Sequence, residues 1–414
     1  MSGLEPGQTC TVNLRGARVP RGRFRALVAA IALLWVSSIG ALHLLDGAGA
    51  ANAWRPPAGV EGAAAGRGAE PAGSPTLPLC EIAPADGQDA ISAAITICPD
   101  CTTVRFPAGR TYSQTNAIAV IGRRNLVIDG NGSTFVSSAA NRTEASIYDA
   151  RPNWQIVEGT EVTLRNLTIR GNLPPGERGI LPGNQYNAGI MISGGNGVYV
   201  ADASVFSVFG EFVVSNPSGF YYGKGALEGQ IPTNVQIDRL HGESAARQCV
   251  AVTAAHGFYL RDSTLRDCYQ NGVDIEHDVA GEPVHDVHIV GNTISGYRFA
   301  GIVVPTTYAP GDVGGVEIRR NTTSPSDTCY PAVLLGGVQA NKNPLTDIVV
   351  ADNRLETLYE GVKASHVASG RVTGNQIILK AAPSLCGPPI AAPVRLIDSP
   401  NLAVGPNSPI GYSG

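Results

Sequence analysis

Acids and histidines crowd into one stretch of the chain, Tyr269 to His288, which reads YQNGVDIEHDVAGEPVHDVH. If Val273 and Ile275 point into a core, Asp274 and Glu276 project together from the opposite side of one strand, because side chains alternate along extended backbone. Their Cα atoms then lie roughly 6.5–7 Å apart. Carboxyl groups so placed fit either the short or the long separation used in acid/base cleavage of glycosidic bonds, and spacing alone does not choose. His277 follows at the strand end, beside Asp278, as a candidate proton acceptor. His285 and His288 then carry the chain into its next segment.

A cation would complete such a set. Abstracting a proton next to a uronate carboxylate requires that carboxylate to be neutralised, which Arg or Ca²⁺ can do, while a base such as His277 takes the proton. Arg247 stands 23 residues before Gln270, one short step in the spacing described below, which brings it beside the same surface. The candidate catalytic residues are therefore Asp274, Glu276, His277 and Arg247, with no metal ligand set required and Ca²⁺ as the one ion such chemistry could use. Sugar-stacking candidates come from the 216–233 loop, with Phe220, Tyr221, Tyr222, Lys224 and Glu228, and from Tyr308, with Asp312, as an opposite wall. Each has a plainer alternative: solvated outward acids, a surface ion pair for Arg247, a turn-capping histidine, a packed tyrosine plug. His241, His256 and His366 read as structural.

The elements that must position these residues are repetitive. One short pattern, apolar-any-apolar-any followed by Gly, Asp, Arg or Asn, occurs nine times, from LVIDGNG at Leu126 to RVTGNQ at Arg371. Its second apolar residue falls at Ile128, Leu164, Val200, Ile237, Leu260, Ile289, Ile318, Val350 and Val372, in steps of 22 to 37 residues. Period-two alternation predicts strands, and no long helical pattern intervenes, which excludes alternating strand–helix units. A second strand follows each anchor, as in GIMIS at Gly189, CVAVT at Cys249, GVDIE at Gly272 and GIVV at Gly301. Each turn of chain thus holds at least two strands, stacked as a solenoid. Asn131, Asn292, Asn321, Asn353 and Asn375 stand three residues past their anchors, where amides could bond along the axis as a ladder. The alternative is turn chemistry alone.

Asp89 opens an Ala/Ile run, AISAAITI, with Ile91, Ile95 and Ile97 near one face, which predicts a capping helix with Asp89 at the N-cap. Phe106-Pro107-Ala108-Gly109-Arg110-Thr111-Tyr112 and Ile128-Asp129-Gly130-Asn131-Gly132 follow. In these runs the chain resembles the pectate-lyase-like superfamily, whose members commonly open with an acidic-initiated helix, an FP-x-G-x-Y strand-turn and an I-x-G-x-G first coil. One extra residue precedes the Tyr here. The resemblance spans residues 80–414 and implies an all-β fold: a right-handed single-stranded parallel β-helix with a short N-terminal capping helix. It does not by itself specify chemistry, since lyases, hydrolases, epimerases, tailspikes and adhesins share that fold. The Asn-Thr-Asp, Asp-Asp, Gly-His-Gly and Arg-x-Lys runs of polygalacturonase-type hydrolases do not occur, nor does the Trp-Ile-Asp-His run of pectate lyases. Gly272 to His277 is loosely similar to the Tyr-Gly-x-Asp-Pro-His run of alginate epimerases and related lyases, which would match Asp274 and His277 as the catalytic pair. Glu276 stands in place of that Pro, and Ile275 is additional.

Composition sets the frame. Of 414 residues, 50 are Gly and 29 Pro while only 15% are charged, which favours turns and strands over surface helices. Residues 1–53 hold Arg15, Arg18, Arg21, Arg23 and Arg25 against Glu5 and Asp46, a local +3, so a chain of net −4 leaves −7 for the residues downstream. An acidic body does not suit nucleic acid or an anionic membrane surface. Ala26 to Leu45 contains no acid or base except His43, and reads as a signal peptide ending near Ala51-Asn52-Ala53 or as a retained anchor. Residues 54–79, rich in Ala, Gly and Pro, suit a linker, and 80–414 the helical coil domain. Seven Cys lie beyond the apolar segment. Export would let several pair, with Cys98 and Cys101 nearest Cys80 as a staple, and the odd count leaves one thiol free or joined to another chain. The expectation is an exported protein whose partner is an extracellular polysaccharide, acting on it as lyase, epimerase or glycosidase, or binding glycan or protein without catalysis. Membrane contact is expected only through the N-terminal segment.

Overall fold

Nine strand copies that each alternate apolar and polar residues have an unshared apolar edge until they stack, and in the computed structural model they stack. The structure describes residues 77–137, 152–176, 186–222, 228–277, 282–305, 312–325, 328–336, 345–380 and 393–413. The expected basic, apolar and most of the linker segments lie outside them.

Every strand pairing is parallel, and the coils wind as a right-handed parallel β-helix. The anchors align in one unbroken line: Ile128 opposite Leu164, then Val200, Ile237, Leu260, Ile289, Ile318, Val350 and Val372. Val104 extends that line before Ile128 and Val404 extends it after Val372. The nine expected anchors are fully buried, and burying an aliphatic side chain of this size contributes roughly 1.5–3 kcal/mol.

Each full coil has three sides, one more than the minimum read from sequence. The anchor side leads into a second side, as Ala255–Arg261 leads to Thr264–Cys268. A third side follows, as in Val273–Ile275, and these strands form a separate ten-stranded sheet. In the early coils the first two sides are one bent strand, Arg124–Ser137, Thr160–Arg170 and Asn196–Val208.

The bend between the first two sides explains the asparagines. A residue with positive φ turns the chain there: Asp262, Gly291, Arg320, Asp352 and Gly374. The next residue then points inward, and Asn292, Asn321, Asn353 and Asn375 form a buried amide ladder that continues to Asn407. Asn131 does not belong to it. That residue is itself the left-handed one (φ 50°), is exposed, and donates to the Phe106 carbonyl instead. Ser133, Leu167, Ala203 and Leu240 fill the equivalent corner in the first coils.

The N-terminal end is closed by helix α1, Gln88–Ile97. Asp89 lies in its first turn, not at the N-cap, which is Gly87 with φ 102°. In that turn the carboxylate still faces the positive end of the helix dipole. Ile91 and Ile95 are buried as expected, but Ile97 is 82% exposed, because it falls on the turn leaving the core. Arg123 closes the other end of α1, donating to the carbonyls of Ile95 and Cys98 at 3.0 and 2.6 Å.

Cys80 is bonded to Cys98 and Cys249 to Cys268. Cys101 and Cys329 are disulfide-bonded as well, so no described cysteine is the odd thiol expected from the count. Among the described residues no helix is long and apolar enough to cross a membrane.

Candidate functional site

Val273 and Ile275 are fully buried in the core, and Asp274 between them projects from the outer side of the third sheet, as the alternation requires. Glu276 follows on the same side at the strand end. Neither is a solvated surface acid: Asp274 is 4% exposed, Glu276 7% and His277 2%. Buried polar side chains on the outer side of a sheet contribute nothing to the apolar interior, so their presence there calls for a separate account.

Register defines the neighbours of Asp274. Along the outer column it stands between Ala251 and Val303, both buried. Its Oδ2 accepts two amide hydrogen bonds, from Gln248 Nε2 at 3.0 Å and from Asn271 Nδ2 at 2.8 Å. Asn271 also accepts from the Ala300 backbone N–H at 3.1 Å, which fixes its orientation. Two donors on one oxygen hold the carboxylate plane, so Oδ1 has one direction as well.

Arg247 lies one coil before Gln270, whose backbone N–H donates to its carbonyl at 3.1 Å, as the 23-residue step implies. Its guanidinium forms an ion pair with Glu211, Nη1 to Oε1 at 2.8 Å, with both side chains buried. Arg247 is thus not an exposed surface cation: it is buried and paired with Glu211. Glu211, Gln248 and Asn271 were not singled out from sequence. They occupy one position, two residues before the first strand residue of successive coils at Val213, Val250 and Val273. Aligning the third-side strands would have exposed that column of polar residues.

Other candidates divide by place. Tyr221 and Tyr222 close the short helix α2, Ser218–Tyr222, which follows the Val213–Asn216 strand two coils before Asp274. They sit at the same edge of the third sheet as Glu276 and His277. Tyr222 donates to Glu158 Oε2 at 3.1 Å, Ser218 donates to Glu158 Oε1 at 2.8 Å, and the two tyrosine rings meet edge-on at 5.0 Å. Burial raises the pKa of both phenols, and the Glu158 carboxylate raises that of Tyr222 further. Lys224 and Tyr308 lie outside the described residues. Asp312 begins the anchor-side strand Asp312–Arg319, so it belongs to a different side of the coil from Asp274.

His285 and His288 also leave the site. Both lie on the anchor-side strand Pro283–Val290. There His288 bridges Asp286 and Glu317, each at 2.8 Å, and His285 stacks on His256 with ring centroids 5.8 Å apart. Among the described residues no three His, Cys, Asp or Glu side chains are grouped to hold a metal ion.

The class defined by these observations is a right-handed parallel β-helix with a buried polar cluster on the outer side of its third sheet. No protein-family model matches the chain. No curated protein matches it. Among solved structures it is similar to the surface protein and adhesin PfbA of Streptococcus pneumoniae, at 14% identity over 78% of this chain and 94% of that one, TM-score 0.43. It is similar to the catalytic unit of the GH87 alpha-1,3-glucanase of Streptomyces thermodiastaticus at 14% identity, over 83% and 70% of the two chains, TM-score 0.46. The A-module of the mannuronan C-5 epimerase AlgE4 of Azotobacter vinelandii shares 15% identity over 79% and 96%, TM-score 0.37. These likenesses concern the fold alone.

Proposed function

We propose that the protein is an exported, carbohydrate-active β-helix protein that transforms an extracellular polysaccharide on the outer side of its third sheet. The observation that carries this reading is the burial of Asp274, Glu276, His277 and Arg247 on a face that the core does not need. Asp274 and Glu276 serve as the acid/base pair, His277 as proton acceptor, and Arg247, held by Glu211, as the cation that offsets developing negative charge. Tyr221, Tyr222, Lys224 and Tyr308 are the sugar contacts, and Ca²⁺ is an optional neutralising ion. Lyase, epimerase and glycosidase chemistry all remain within this set. The disulfides fit an oxidising compartment, which supports export by cleavage or anchoring through residues 1–53, followed by a linker over 54–79 and the catalytic domain over 80–414.

The test is incubation with a panel of acidic and neutral polysaccharides, scoring unsaturated uronate, new reducing ends and inverted C5 configuration. Turnover of one substrate is expected, with Asp274→Asn and Glu276→Gln each lowering kcat by at least about 100-fold. Full activity in both variants would remove this site, and no product on any substrate would remove the enzyme reading. A second reading, a surface module that binds glycan or protein without catalysis, is favoured by one feature: the Gln248 and Asn271 amides on Asp274 suit a fixed structural carboxylate. Glycan-array binding without product formation would select it.

A further inference from the structure

We propose that the third sheet beyond Asp274 forms a binding track for an anionic polysaccharide, lying along the coil axis toward the C-terminal end. This rests on the reading of that face as a carbohydrate site and adds the charge class and the direction of the bound chain.

The outer column through Asp274 continues, one residue per coil, as Val303, Leu334, Lys363 and Arg395. With coils about 4.8 Å apart, Lys363 stands about 14 Å from Asp274 and Arg395 one coil further. The preceding coils carry Ala251, Val214, Met191 and Gln155 in the same column. The cations therefore lie on one side of Asp274 only. Among the described residues Lys363 makes no ion pair. The Arg395 side chain is 40% exposed, and its Nη1 meets Glu360 Oε1 at 3.4 Å. Burial pushes the Glu360 carboxyl up, against the pull of Lys363 and Arg395, so that group offsets the two cations only in part.

A second column runs beside the first. At the corner three residues before the first third-side position, successive coils place Phe299, Tyr330 and Tyr359, where earlier coils have Arg247 and Gln270. Phe299 and Tyr330 meet edge-on with centroids 5.1 Å apart, and Tyr330 is 44% exposed. Aromatic rings repeating once per coil offer apolar surfaces to successive sugar rings, and cations repeating once per coil offer partners to successive carboxylate or sulfate groups. A neutral glycan would use the rings and leave Lys363 and Arg395 without a role.

The test measures binding to the Asp274→Asn protein, so that nothing is consumed, with polyuronate oligomers, a sulfated glycan oligomer and an uncharged glucan oligomer. One anionic oligomer should bind at least about tenfold more tightly than the glucan, and weaken as salt rises. The Lys363→Ala/Arg395→Ala variant should lose about tenfold in affinity for it and most of the salt dependence. Tyr330→Ala should weaken binding without changing the salt slope. Lys363→Gln alone provides the same readout should the double variant show a lowered Tm. Equal binding of charged and uncharged oligomers, or unchanged affinity in both cation variants, overturns the track. The two readings fail separately: turnover with unaltered KM in the cation variants removes the track and keeps the enzyme, while cation-dependent binding without product keeps the track and removes the enzyme.

Discussion

Asn321 accepts on its Oδ1 both the backbone N–H and the side-chain amide of Asn292, at 2.9 and 3.0 Å. Its own amide donates to the Ile289 carbonyl at 2.7 Å and to Asn353 at 3.1 Å. All of these groups are buried, so removing one asparagine leaves several without partners. Asn321→Ala is expected to lower stability by about 2–4 kcal/mol, read as a shift in the urea midpoint. Asn131→Gly, at an exposed residue already in the left-handed region, should change it by under about 1 kcal/mol.

Gly272 controls how closely the coil bearing Asp274 approaches the next one. A Cβ added there would collide with Ile294 Cγ2 and come within 2.5 Å of the Gly301 carbonyl oxygen, a backbone atom that cannot rotate away. Gly272→Ala should destabilise the protein by more than about 1 kcal/mol and shift the adjacent Asp274, so that Tm and activity fall together. A stable variant with full turnover would show that the two coils can separate without cost.

The Cys249–Cys268 disulfide spans 19 residues and joins the end of one coil's second side to the start of a third-side strand. Closing a loop of that length contributes about 3 kcal/mol in the chain-entropy description. Cys249→Ala/Cys268→Ala should lose about that much. Because both residues are fully buried, thiol release by a reductant should follow unfolding and not precede it.

The Tyr259 hydroxyl donates to Asp286 Oδ2 at 2.7 Å, and the pair titrates in opposite directions. Burial, then the hydrogen bond to Asp286, pushes Tyr259 up to about 12. Burial pulls the Asp286 carboxyl up, but hydrogen bonds from Tyr259 and His288 outweigh it and hold the group below its usual range. The Asp286 contribution is therefore present above the ordinary carboxylate pKa and is lost as pH falls through the depressed folded value. The Tyr259 contribution is present below the ordinary phenol pKa and is lost as pH rises toward about 12. Tyr259→Phe should flatten Tm against pH at both extremes and remove one late-titrating phenol from the ultraviolet titration.

The line of anchors was legible because apolar alternation around Ile128 to Val372 survives loops of any length between copies. Val104 and Val404 were not, since their strands are three residues long and the pattern has too few positions to declare itself. The asparagine ladder was legible from position, while Asn131 misled because the same residue type serves equally as the left-handed corner and as the inward amide. Asp274 could be placed on the outer side by counting residues. Its burial could not, because cover over an outer face depends on segments outside the repeat. The Arg247–Glu211 pair escaped notice for a related reason: a sequence separation of 36 hides a contact between neighbouring coils. Proximity pointed Cys80 to the Cys98–Cys101 run without choosing between the two, and the choice of Cys98, like the Cys249–Cys268 pairing, needed the fold.

The amide column from Asn292 to Asn407 has no intrinsic length. Each interior member takes a proton pair from the storey below and hands one to the storey above, so every storey is chemically the same as its neighbour and none marks a natural end. At its lower end the Ser263 N–H donates to Asn292 Oδ1, and the coils beneath stack on with Leu240, Ala203, Leu167 and Ser133 at the same corner, so the series can stop without ending the stack. A protein built this way can gain or lose a whole storey within the asparagine series and leave the joints on either side intact.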